Sequence, residues 1–97
     1  MSRFGQYCPV ASALDILGER WTLLVIRDLL DGPRHFNELA RGLPRMSRTL
    51  LAKRLRYLEG VGIVDRCDLE DSNKTEYHLT EAGERVRPVV EALLVWG

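Results

Sequence analysis

The stretch 43–66, "LPRMSRTLLAKRLRYLEGVGIVDR", carries most of what the chain says about its fold. Ser47 stands where a helix N-cap is expected, which places Arg48 at the first helical position and Leu51 at the fourth. Met46, just ahead of the cap, can pack on Leu51 as a hydrophobic staple. The helix should run to about Glu59 and stop at Gly60 or Gly62. At 100° per residue, Leu51, Leu55 and Leu58 fall within about 60° of one another and form a core stripe. Thr49, Ala52, Lys53 and Arg56 lie on the opposite side, with Arg45, Ser47 and Arg48 at the N-terminal end. That outer face has cations and small residues and no carboxylate before Glu59. A solvated helix face usually mixes signs, because acid–base pairs four residues apart support it. An arginine in the first turn also opposes the helix dipole. Two readings compete: a basic face that merely meets water, or a helix whose N-terminus and arginines approach a phosphate backbone together.

Working outward favours the second reading. Upstream, "RHFNELARGLP" sets Phe36, Leu39 and Leu43 at helical spacing between Gly42 and Pro44. A short helix, a four-residue turn and a second helix form a helix-turn-helix, whose second helix enters the major groove of double-stranded DNA. On this reading Thr49 and Lys53 reach base edges, with Arg48 and Ala52 nearby, while Arg45, Ser47, Arg56 and Arg34 hold phosphates. Earlier still, "CPVASALDILG" predicts a helix with Pro9 at its first position and Gly18 as its stop. "ERWTLLVIRDLLDGP" predicts a helix apolar nearly all round, hence buried in the core or at a subunit contact, and ended by Gly32-Pro33. Downstream, Ile63, Val64, Cys67 and Leu69, a polar turn, then Thr75, Tyr77 and Leu79 predict a two-stranded hairpin. Asn73 and Lys74 would sit at its tip as DNA contacts, although turn chemistry alone accounts for Asn73 equally well. Thr80 caps a last helix that Pro88 must kink or delay. The expected fold is mainly α with a small β-hairpin, a winged helix-turn-helix filling one domain over residues 1–97.

Composition agrees with a single soluble domain: 97 residues, 45% hydrophobic and 29% charged. The net charge of zero hides an asymmetry. Between Arg34 and Tyr57 seven basic residues (34, 41, 45, 48, 53, 54 and 56) face one acid, Glu38, giving +6 against −6 elsewhere. A polyanion needs only a local positive surface. The hairpin is less suited, since Asp65, Asp68, Glu70 and Asp71 outnumber its cations. Cys8 and Cys67, with His35 and His78, assemble no zinc spacing, so neither a metal nor a cofactor is expected. No apolar run reaches the ~20 residues of a membrane helix, and the start lacks a signal peptide's apolar core, so a cytoplasmic protein is expected. No Gly-rich phosphate loop or nucleophile elbow points to an enzyme. A winged helix used only for protein–protein contact remains the alternative.

Three pieces, "YCPVASALDILGERWTLLVIRDLLDGPRHFNEL", "LPRMSRTLLAKRLRYLEGVGIVDR" and "EYHLTEAGERVRPVVEALLVWG", cover nearly the whole chain. Together they resemble the HxlR-type winged helix-turn-helix transcriptional regulators of bacteria and archaea. The resemblance implies a homodimer that binds a pseudo-palindromic operator. It also implies dimer contacts through Cys8–Leu17, Trp21–Leu30 and Val86–Trp96. The wing departs from the family, with "DSNKTE" where proline and arginine are common. Family chains often continue past Trp96-Gly97, which implies a shortened chain or the ordered part of a longer regulator. In several members a cysteine at the position of Cys8 senses electrophiles or oxidants. Cys8 precedes a helix start, where the dipole favours a thiolate; the competing expectation is a small buried residue near the dimer contact. Cys67, on a strand pattern, is expected to pack inside. A small-molecule or oxidant effector fits this reading, but no residue pattern specifies one.

Overall fold

A computed structural model describes residues 8–69 and 74–97. The order is α1 (Pro9–Leu17), α2 (Thr22–Leu30), β1 (Arg34–His35), α3 (Phe36–Gly42), α4 (Arg48–Gly60), β2 (Val64–Leu69), β3 (Lys74–Leu79), α5 (Glu81–Glu84) and α6 (Arg87–Trp96).

The helix ends are where the local chemistry puts them. Pro9 opens α1 and Gly18 closes it. Cys8 is the N-cap, its Sγ accepting the Ala11 N–H at 3.2 Å. Ser47 caps α4 by accepting the Leu50 N–H at 3.0 Å, and Gly62, at φ +83°, turns the chain after it. Thr80 Oγ1 accepts the Gly83 N–H at 3.1 Å at the start of α5 and itself donates to the Gly62 carbonyl at 2.6 Å. Gly83 is buried there, and a Cβ on it would run into the carbonyl oxygen of Ile63. The Thr-x-x-Gly pair thus clamps the end of the sheet to the bend that follows α4. Pro88 does not kink a long helix. It sits in the first turn of α6, and a turn at residues 85–86 separates that helix from α5.

The core is the leucine stripe of α4 (Leu51, Leu55, Leu58) packed with Val25, Ile26 and Leu29 of α2, Leu39 of α3, and Val64 and Tyr77 of the sheet. Met46 joins the same cluster as Leu51, as a staple requires. Burial disfavours the phenolate and raises the Tyr77 pKa above its ordinary value of 10.0.

Two expectations are corrected. The sheet has three strands, in the order β1-β3-β2, all antiparallel. β1 is only Arg34 and His35, paired with Tyr77 and Glu76, too short to show any periodicity of its own. Cys67 is exposed, not packed. Along β2 only Val64 is buried, because residues 65–68 run out beyond the core. The alternation there is a strand signal without a second covered face.

Candidate nucleic-acid interface

The outward side of α4 and the loop before it present Arg45, Ser47, Arg48, Thr49, Lys53 and Arg56 as exposed residues, with Ala52 half-buried among them. Directly behind them Leu51 and Leu55 are buried, so the polar side of α4 faces outward because its apolar side is fixed inward. Among the described residues, Arg45, Lys53 and Arg56 make no ion pair. Ser47 uses its oxygen lone pair on the Leu50 N–H, which leaves its own O–H as a donor toward solvent.

Arg48 is exposed but already engaged. Its Nη1 donates to Asn37 Oδ1 at 2.8 Å, and its guanidinium lies 5.7 Å from the Phe36 ring centroid. It therefore ties the two helices of the helix-turn-helix together. The sequence reading missed Asn37; the available signal was an arginine at the first helical position with a short polar side chain on the preceding helix.

Arg34 stands elsewhere. It lies on β1, 3.9 Å from Asp31, and lines a cavity of about 320 Å³ with Asp28, Glu38 and Arg41. The structure thus places it among carboxylates and does not bring it onto the outward side of α4. Lys74 opens β3 and, with Arg41, His35 and Asn37, lines a groove of about 680 Å³ between α3 and the hairpin. Asn73 lies outside the described residues.

The base of the hairpin is tied to α3. His35 Nδ1 is 3.2 Å from the Thr75 carbonyl oxygen, within hydrogen-bonding distance. The His35 N–H donates to Glu38 Oε1 at 2.9 Å, and this bond holds the Glu38 carboxyl below its ordinary value, with His35, Arg34 and Arg41 adding smaller attractions. On the wing itself, Arg66 pairs with Asp68 at 3.4 Å and Thr75 Oγ1 donates to Asp68 at 2.8 Å. Among the described residues of the wing, Arg66 is thus answered by an acid of its own strand.

Among the described residues no group of three or more His, Cys, Asp or Glu side chains is placed to hold a metal ion. None of the described helices is long and apolar enough to cross a membrane.

The family model for the HxlR-like helix-turn-helix matches residues 16–97. The chain belongs to that family. This HxlR-like chain is 40% identical over 91 residues to the HTH-type transcriptional regulator YodB of Bacillus subtilis, covering 92% of this chain and 81% of YodB. It is 44% identical over 89 residues to the uncharacterized HTH-type transcriptional regulator Rv3095 of Mycobacterium tuberculosis, covering 91% of this chain. It spans only 56% of the length of that mycobacterial relative. Its fold superposes on the reduced form of YodB from B. subtilis with a TM-score of 0.82 at 39% identity, covering 94% of this chain and 91% of that one. With the redox regulator HypR in its oxidized form the TM-score is 0.87 at 37% identity, covering 93% and 94%. The HxlR-like chain is a winged helix-turn-helix, with α3–α4 as the helix pair and β2–β3 as the wing.

Proposed function

We propose that this protein is a sequence-specific, DNA-binding transcriptional regulator that lays α4 in the major groove of a pseudo-palindromic operator as a homodimer. The observation that supports it most is the exposed set Lys53 and Arg56 beside Thr49 on one side of α4, with Arg45 in the loop before it, all three cations without an ion pair among the described residues. Thr49 and Lys53 read base edges, with Ala52 between them shallow enough to meet a thymine methyl. Arg45, Arg56 and the Ser47 hydroxyl hold phosphates, and Arg48 positions the helix pair while lying next to the groove. Lys74 and Asn73 act at the wing, and Arg34 contributes at long range only. The second protomer docks on the apolar exposed face of α6, where Leu93 is 45%, Leu94 70% and Trp96 87% exposed. The place of action is the cytoplasm.

The test is binding to duplex DNA across a salt series. The logarithm of the affinity should fall by about 0.9 per phosphate contact for each decade of salt. Thr49→Ala and Lys53→Ala should relax sequence preference, whereas Arg45→Ala should weaken all sequences alike. Equal losses from all three contradict the assigned face. No duplex binding at low salt favours a module for protein contacts.

A thiol response is a second reading, favoured by Cys8 being exposed at the N-cap of α1. YodB has been solved in reduced, diamide-treated and quinone-bound forms, and HypR in reduced and oxidized forms. In this chain, alkylation or oxidation of Cys8 would add bulk at the Sγ that accepts the Ala11 N–H and so disturb the start of α1, shifting the dimer and weakening operator binding. Footprints with and without diamide should differ for the unaltered protein and not for Cys8→Ser. Because Cys67 is exposed as well, Cys67→Ser is the required control. An identical diamide response in Cys8→Ser removes Cys8 from the account.

A further inference from the structure

Arg54 is the cation of α4 that the DNA face does not use. On the helical wheel it stands about 140–160° from Thr49 and Arg56, turned toward the protein. Its side chain is 20% exposed, and its Nε lies 3.5 Å from Glu19 Oε1, itself on a side chain 22% exposed. The alignment is that of an ion pair and not of a hydrogen bond, and Nε is buried with no hydrogen-bond partner among the described residues. Glu19 is a fixed counter-charge. The same Oε1 accepts the Trp21 N–H at 2.8 Å and the Thr22 hydroxyl at 3.0 Å, and Thr22 is fully buried at the start of α2. The Arg54 guanidinium also lies 5.1 Å from the Tyr57 ring centroid, and the Tyr57 hydroxyl points at the Asp15 carbonyl of α1 at 3.5 Å.

We propose that Arg54 is a positioning residue: held by Glu19 and stacked on Tyr57, it sets the rotation of α4 against the α1–α2 turn and so aims Thr49 and Lys53 at the base edges. The inference rests on the DNA-reading function proposed above. Its physical ground is the difference between the two attachments of α4. The leucine stripe decides which side of α4 faces inward, but burial itself is non-directional and sets the angle only coarsely. A half-buried charge pair favours one register. With side chains reaching about 5–6 Å from the helix axis, a 20° rotation moves their tips about 2 Å. Hydrogen bonds to bases lose their alignment over that distance. Lysine and arginine contacts to phosphates, made by long flexible side chains, follow it. Losing Arg54 should therefore erode discrimination and leave phosphate binding in place.

The probes are the duplex that the unaltered protein enriches from a randomised pool and a scrambled duplex of equal length. Arg54→Gln and Glu19→Gln are each expected to reduce the preference for the enriched duplex by about tenfold, the scale of one lost base contact. The double variant should be no worse than either single one, as partners in one pair are non-additive. The salt slope on the scrambled duplex should not change. Arg54→Lys, which keeps the charge and should fold even if Arg54→Gln does not, should retain most of the preference. A slope lowered by about 0.9 in Arg54→Gln, with Glu19→Gln unaffected, would mean that Arg54 touches a phosphate and would overturn the proposal. Additive losses, or an Arg54→Lys variant that folds yet has no preference left, would overturn it too. If the unaltered protein binds no duplex at low salt, the regulator reading itself fails; loss of only the variant pattern leaves that reading standing.

Discussion

α4 and α6 both leave one side of a helix uncovered, and the two sides could hardly differ more. On α4 the uncovered residues include Thr49, Lys53 and Arg56, with Arg45 in the loop just before it, around a stripe whose leucines are fully buried. On α6 only Val90 is buried, and all six residues from Glu91 to Trp96 are exposed, four of them large and apolar. Water solvates the first surface at no penalty and the second only at a cost of about 25 cal/mol for each Å² of apolar area. The polar face can wait for a ligand with charge, whereas the apolar face calls for a protein. One small domain therefore presents two surfaces of opposite chemistry, and each helix can carry only the one that its sequence permits.

The sharpest way to break that contrast is to neutralise the polar face. Arg45→Gln, Lys53→Gln and Arg56→Gln combined should weaken duplex binding by ~100-fold or more at 0.1 M salt and flatten the salt dependence by about 0.9 per contact removed. Thermal unfolding should barely change, because none of the three is buried. Unchanged duplex affinity would mean that α4 is not the contact.

Trp96→Ala probes the other side. If the α6 face is the dimer contact, this change should weaken self-association by about 2 kcal/mol, or ~30-fold, as a central aromatic anchor does. Sedimentation equilibrium reads it, and an unaltered monomer–dimer constant would move the contact elsewhere.

A smaller effect is expected where α4 begins. Ser47→Ala removes the acceptor of the Leu50 N–H and should destabilise the fold by about 1 kcal/mol in denaturant titration. Ser47→Asp should keep the cap and yet repel DNA, separating the residue's two roles.

The smallest effect is a pH dependence at Glu38. Its folded value lies below the ordinary 4.5 because the His35 N–H donates to the ionised carboxylate. The stabilisation is therefore complete above the unfolded value and disappears as pH falls through the lower folded one. Glu38→Gln should remove that acid-side component of the stability curve, measured between neutral pH and about pH 3. An identical curve would show that the bond does not persist in solution.

What could be read in the sequence is what depends on neighbours along the chain. Pro9, Gly18, Ser47, Gly62 and Thr80 mark helix ends through their own backbone and side-chain chemistry. The spacing of Leu51, Leu55 and Leu58 assigns the two sides of α4 before any partner is known. The third strand, the burial of each side chain and the pairing of the charges were decided by residues far apart in sequence. β1 exists only because β3 lies alongside it, 40 or so positions later. Cys67 follows a strand pattern but has no core behind it. Arg48 and Arg54 look like equal members of one basic run. Yet one is tied to Asn37 across the helix-turn-helix, and the other to Glu19, 35 positions earlier. Local propensity acts over a turn or two of chain, whereas burial and charge pairing depend on distances in space, and only the folded chain fixes those.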